Sequence, residues 1–259
     1  MNNVLRYLNI EKLEWLLSDK GIYIGSASSQ SDPEEAIYDH RISKLLKSDM
    51  MAFKSDDWEK IDDLSYGLMI NKQKNLYLSS WYRGDNESVQ MWNEYGKDGV
   101  AIISDELSLI STLPEPLEQV LTCYHVVYDD QKKIGAINDP LKYKSAKFTH
   151  ENEFRLVFDM QSYALMTGYE KEKYPMALIE DIPSYEHKSI IGGISEQGYK
   201  QSHDVIYSKS NGYVIKYDLN QVIHEIKLNP TCSAHQEQYI RKICEKAGLQ
   251  CSIQYSTLK

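Results

Sequence analysis

Apolar positions alternate and cluster so as to divide this chain into short elements of both kinds. Val4-Leu5-Arg6-Tyr7-Leu8 reads as a strand. Ile10, Leu13, Leu16 and Leu17 then follow helical spacing, and Gly21 stands where a helix stops. Gly21-Ile22-Tyr23-Ile24-Gly25 predicts a second strand. The polar segment 26–35 carries Asp32-Pro33, which predicts a loop entering a helix near Glu34. Residues 36–70 are charged with scattered apolar positions, as in a surface helical insert. Strand candidates follow at 75–82, 99–103, 121–128 and 153–160, and helical spacing recurs over 88–95, where Trp92 and Tyr95 are expected in the core. Residues 141–148 read as helical or irregular. Farther on, 188–191 runs into Gly192-Gly193, and Pro230 closes a strand candidate at 222–228. An amphipathic helix over 236–247 precedes a last strand at 251–255. Strands mixed with helices, without regular βαβ spacing, predict an α+β fold in a single domain over 1–259.

One stretch departs from plain core patterning. Thr149-His150-Glu151-Asn152-Glu153-Phe154-Arg155-Leu156-Val157-Phe158 places two carboxylates and an arginine at the mouth of an apolar, β-prone run. Strand alternation puts Glu151, Glu153 and Arg155 on one face and Asn152, Phe154, Leu156 and Phe158 on the other. Two readings stand. In one, Glu153 and Arg155 are an exposed surface pair worth at most about 1 kcal/mol. In the other, a carboxylate at the start of a strand is held by its neighbours and aimed into a cleft.

Charge and composition narrow the field. A formal net charge of -9 argues against general nucleic-acid binding, which depends on Lys and Arg neutralising phosphates. No apolar run approaches the length of about 20 residues that a membrane span requires, and the N-terminus lacks the layout of a signal peptide, so a soluble cytoplasmic protein is expected. Four cysteines without a C-x-x-C pair predict reduced structural thiols. Cys123 with His125, and Cys232 with His235, lack the second pair that a zinc site would need, so no metal is expected. Twenty tyrosines against four phenylalanines suit partly buried walls, or surfaces on which a nucleobase stacks.

Several ordered segments resemble the bacterial domain-of-unknown-function family 2971. They are Leu5-Arg6-Tyr7, Gly21-Ile22-Tyr23-Ile24, Ser31-Asp32-Pro33-Glu34-Glu35, the run from Met91 to Gly96, Gly99-Val100-Ala101-Ile102, the run from Glu151 to Leu156, Ile191-Gly192-Gly193 and Leu228-Asn229-Pro230. The chain departs from that pattern at Gln30 and Ser31, and around Phe148, where the family usually carries Phe-Asn and a tryptophan. An arginine on the first strand (Arg6), serines ending a middle strand (Ser79, Ser80) and an E-x-E on a later strand (Glu151, Glu153) are also similar, in that order, to the layout of ADP-ribosyltransferases.

That resemblance implies mostly antiparallel split sheets with peripheral helices enclosing NAD, and ADP-ribose transfer to a macromolecule or nucleotide by a toxin or antiphage effector. It implies Glu153 as the carboxylate stabilising an oxocarbenium-like ribose, with Glu151 orienting or deprotonating the acceptor. Arg6 would grip diphosphate or ribose, Ser79 or Ser80 would position the strand and the glutamate, and Tyr7, Tyr23 or Trp81 would stack on nicotinamide. Arg155 would join the cofactor contacts. The alternative is a non-catalytic nucleotide-sensing or protein-interaction module with the same groove. A metal-dependent nuclease built on Asp32, Glu34 and Glu153 is a third reading.

Overall fold

The structure is a computed structural model that describes residues 2–30, 73–131, 139, 141–174 and 194–258. The insert expected at 36–70, the turn at Asp32-Pro33-Glu34 and Gly192-Gly193 lie outside the described residues.

Strand β1 (Asn3–Leu8) leads into α1 (Ile10–Asp19), whose Asn9 side chain accepts from the Lys12 N–H and satisfies one of the orphan donors of the first turn. Leu13, Leu16 and Leu17 bury the apolar stripe, each contributing roughly 1.5–3 kcal/mol over an exposed position. Lys20 ends the helix in the left-handed conformation (φ 50°), and β2 (Gly21–Ser26) starts at once. Gly21 is required there because a Cβ would stand 2.3 Å from the carbonyl oxygen of Ile215 on the neighbouring strand. Next come β3 (Leu76–Arg83), α2 (Val89–Glu94) and β4 (Val100–Asp105). The short helices α3 (Glu106–Ser111) and α4 (Glu115–Glu118) precede β5 (Leu121–His125).

The single strand expected over 121–128 is two pieces, since Val126 interrupts it before β6 (Val127–Tyr128). Residues 141–148 contain β7 (Tyr143–Lys144) and the start of a 3-10 turn over Ala146–Glu151. Strand β8 (Glu153–Asp159) stops one residue short of expectation. The Asp159 side chain accepts from the Gln161 and Ser162 N–H groups and opens α5 (Met160–Thr167). The chain continues through α6 (Glu196–Gln201), the hairpin β9 (Ile206–Lys209) and β10 (Gly212–Lys216), and α7 (Leu219–Val222). It closes with β11 (Glu225–Leu228), α8 (Ala234–Ala247) and β12 (Ser252–Tyr255). The expected strand at 222–228 is therefore shorter, because Asp218 caps a helical turn through Val222.

Ten of these strands form one mixed, mostly antiparallel sheet, with β11 and β12 parallel. Its organising element is β3. One edge of β3 pairs along its length with β8, which pairs in turn with β5. The other edge is shared. Val4 and Leu5 of β1 pair with Arg83 and Tyr82, whereas Gly25 and Ser26 of β2 pair with Leu78 and Tyr77. The sheet forks around Ser79, Ser80 and Trp81 into a β1-β4-β11-β12 wing and a β2-β10-β9 wing.

The two faces differ. Phe154, Leu156, Phe158, Trp81 and Tyr213 belong to the large core on one face. The opposite face carries two smaller clusters, one around Leu78, Leu141 and Val157 and the other around Leu5, Tyr7 and Trp92. Glu153 and Arg155 alternate with the core residues of β8 and so lie on this second face.

Candidate functional site

A cavity of about 550 Å³ occupies the fork, within the range of small-molecule sites. Arg6, Tyr23, Ser80, Trp81, Glu151 and Glu153 are among its lining residues. Arg6 and the two glutamates thus open onto one space.

Glu153 is 5% exposed and Arg155 is 1% exposed, which removes the surface-pair reading. The Arg155 guanidinium grips both oxygens of Glu153, with Nε to Oε2 at 2.7 Å and Nη2 to Oε1 at 3.1 Å. Its Nη1 donates to the Leu141 carbonyl at 2.9 Å. Arg155 is therefore a positioning residue for Glu153. Its fork is committed within the fold, which argues against the direct cofactor contact expected from the resemblance.

Glu151 reaches the same place by a route other than strand alternation. It ends the 3-10 turn, and Asn152 turns the chain in the left-handed conformation (φ 34°) before β8 begins. Asparagine tolerates that conformation better than most residues. Its side-chain amide donates to the Arg83 carbonyl, and its own carbonyl accepts from the Arg83 N–H at 2.8 Å. This turn brings Glu151 beside Glu153.

Lys144 stands between the carboxylates, donating to Glu151 Oε2 and to Glu153 Oε1 at 2.8 Å. Tyr95 donates its hydroxyl to Glu151 Oε1 at 3.0 Å. Burial raises the Glu151 carboxyl to about 7 with help from the Glu153 charge, while Lys144 opposes the shift. Burial also works against ionised Glu153, but Arg155, the hydrogen bond from Glu151 and Lys144 outweigh it and hold Glu153 well below the usual carboxylate range. The pair therefore carries one acidic and one easily protonated carboxyl.

Arg6 projects on the other side of β3. Its Nη1 donates to Ser79 Oγ at 2.9 Å and its Nη2 to the Tyr23 carbonyl at 3.1 Å, so the guanidinium spans the fork from wing to wing. Burial lowers its pKa to about 10, against the influence of the Tyr23 phenol, and it remains a cation at neutral pH. Ser79 backs Arg6, and Ser80 faces the side that Arg155 occupies.

The aromatic expectations divide. Trp81 is 1% exposed, donates its indole N–H to Ser79 Oγ at 3.0 Å and lies 5.7 Å from the Arg6 guanidinium carbon. A stacking ring there would have to displace Arg6. Tyr7 packs edge-on against Trp92 and accepts from the Ser88 N–H, making it a wall residue. Tyr23 is exposed and is among the residues lining the cavity. Trp15 of α1, for which the sequence suggests no role, lines it too at 46% exposure, with the Lys209 ammonium over its ring.

Tyr95, expected in the core, is half-exposed because it sits at the end of α2 and reaches outward to Glu151. Trp92 is buried as expected. Lys144 carried no local signal, since its relation to the glutamates depends on the two-residue pairing of β7 with β6. Among the described residues no helix is long and apolar enough to cross a membrane. Comparison with protein-family models, curated proteins and solved structures gives no match.

Proposed function

We propose that the forked sheet is an ADP-ribosyltransferase-like scaffold whose cleft binds NAD, cleaves its nicotinamide–ribose bond and passes ADP-ribose to a macromolecule or nucleotide. The observation that carries this reading is the opening of an ionised glutamate and a wing-spanning arginine onto one cavity. Departure of neutral nicotinamide leaves positive charge on the ribose C1′ and ring oxygen, which the Glu153 carboxylate stabilises. The acceptor then bonds to C1′, and its proton passes to Glu151, whose raised carboxyl is suited to exchange protons near neutral pH. Arg6 supplies charge for the diphosphate, and Tyr23 and Trp15 offer rings for the bases. Membership of family 2971 and a role as a toxin or antiphage effector belong to the same proposal and rest on the sequence resemblance alone.

One observation favours the alternative of a nucleotide-sensing module: both Glu153 oxygens are already engaged by Lys144 and Arg155. Calorimetry with NAD and ADP-ribose, paired with chromatographic detection of released nicotinamide, separates the two. The transferase reading expects turnover that falls by roughly 10² or more in Glu153→Gln. Binding without nicotinamide release, or equal turnover by folded parent and variant, overturns it.

A further inference from the structure

A set of metal-binding side chains that the cysteine and histidine spacing did not suggest converges at one end of the cleft. We propose that Glu94, His150 and Glu151 form a binding site for a divalent metal ion of the zinc or manganese type. Each contributes one ligand atom, and the three atoms lie within 4.8 Å of one another. Glu94 Oε2 and His150 Nε2 are 3.3 Å apart. Two ligands that each sit about 2.0–2.1 Å from a shared ion stand roughly 2.8–3.4 Å apart, from neighbouring octahedral to tetrahedral positions. That pair is hydrogen-bonded at a separation within this range, and an ion would replace the proton between them.

The site is built from fixed elements. Glu94 is the last residue of α2, and His150 and Glu151 end the 3-10 turn that Asn152 closes. Outer partners orient the two carboxylates: Gln90 Nε2 donates to Glu94 Oε1 at 3.0 Å, the Tyr95 hydroxyl donates to Glu151 Oε1 and Lys144 donates to Glu151 Oε2, so an ion joins Glu151 beside that ammonium or in its place. Glu151 is 4% exposed, His150 is intermediate and Glu94 faces solvent, so the set runs from the protein interior to an accessible entrance.

The donor chemistry selects the ion. One imidazole and two carboxylates suit zinc or manganese, whereas magnesium prefers oxygen ligands and water. Three protein ligands leave at least one position for water or a ligand atom, and Glu151 lines the cavity. The site stands whether or not the cleft turns over NAD.

The test is calorimetric titration of the full chain, stripped with chelator and dialysed, with zinc, manganese and magnesium chlorides in turn. Cobalt(II) addition is followed in the visible spectrum. The expected result is saturable binding of one zinc or manganese ion per chain and cobalt bands that zinc displaces. His150→Ala and Glu94→Gln should each weaken binding at least tenfold, while His235→Ala, at an exposed histidine on α8, should not. Urea unfolding verifies that each variant is folded, and Glu94→Gln alone serves if His150→Ala is not. Absence of one-to-one zinc or manganese binding, binding of magnesium alone, or parental affinity in the folded variants overturns the proposal.

Discussion

Replacing Lys144 with methionine keeps most of the side-chain volume and removes the ammonium between two buried carboxyls. Lys144 is 6% exposed, and its partners Glu151 and Glu153 are 4% and 5% exposed, so solvent cannot replace the lost charge. Removing one member of a buried ion pair costs about 3–5 kcal/mol. That range should apply at pH 8. At pH 5 the Glu151 carboxyl, raised to about 7, already holds its proton, and Lys144 faces one carboxylate that Arg155 also grips. The cost should then fall to about 1–3 kcal/mol, the scale of one charged hydrogen bond.

The direction of this dependence follows from the two shifts. Protonated Glu151 contributes stability that is complete below its ordinary value of 4.5 and is lost as pH rises through about 7. Glu153, depressed, contributes stability above 4.5 that is lost as pH falls toward its lowered value. Lys144 offsets the first loss, so its removal is felt most at high pH. Urea unfolding of the parent, Lys144→Met, Glu151→Gln and the double variant at both pH values completes the cycle. The double variant should be less destabilised than the sum of the singles by roughly 1–2 kcal/mol at pH 8. Equal Lys144→Met costs at the two pH values, or additivity within about 0.5 kcal/mol, would refute the coupled arrangement.

Other outcomes test the frame around this network. Arg6→Gln, which removes charged hydrogen bonds to Ser79 and the Tyr23 carbonyl, should cost roughly 2–3 kcal/mol in urea unfolding. It should also weaken ADP-ribose binding at least tenfold by calorimetry, and an unchanged affinity would remove Arg6 from the proposed site. Asn152→Ala should destabilise by about 1–2 kcal/mol, and Asn152→Gly by less, because glycine accepts the left-handed turn that alanine resists. Thermal unfolding that ranks alanine above glycine would contradict this. Gly21→Ala should cost roughly 1–3 kcal/mol, since its Cβ meets the Ile215 carbonyl oxygen at 2.3 Å. A neutral change in the urea midpoint would show that β2 and β10 can separate freely.

Elements with strong local periodicity were legible in the chain. The alternation of β1 and the Leu13, Leu16, Leu17 stripe of α1 both correspond to observed elements. The Glu153–Arg155 relation was legible too, because strand alternation fixes which side chains share a face. Its burial was not, because that depends on Leu141 and Lys144 arriving from a distant segment. Strand alternation gives Glu151 the right neighbourhood through the wrong geometry, since the left-handed Asn152 redirects a side chain that alternation alone would place. The β9–β10 hairpin is not legible from an Asn-Gly turn, because its two loop residues are Ser210 and Asn211 and Gly212 already pairs with Lys209. Tyr95 shows the opposite limit: its helical spacing from Trp92 fits a core position, but the helix ends there and the ring leaves the core.

The shared edge of β3 also has a mechanical consequence. Each wing meets β3 through two register pairs, and the strand between those pairs has no partner on that edge among the described residues. Across that gap the wings are tied by the Arg6 guanidinium and by α1, which joins β1 to β2 and packs in the core with residues of both wings. Arg6 is thus a structural tie as well as a charge, and shortening or neutralising it alters the stiffness of the opening along with its electrostatics.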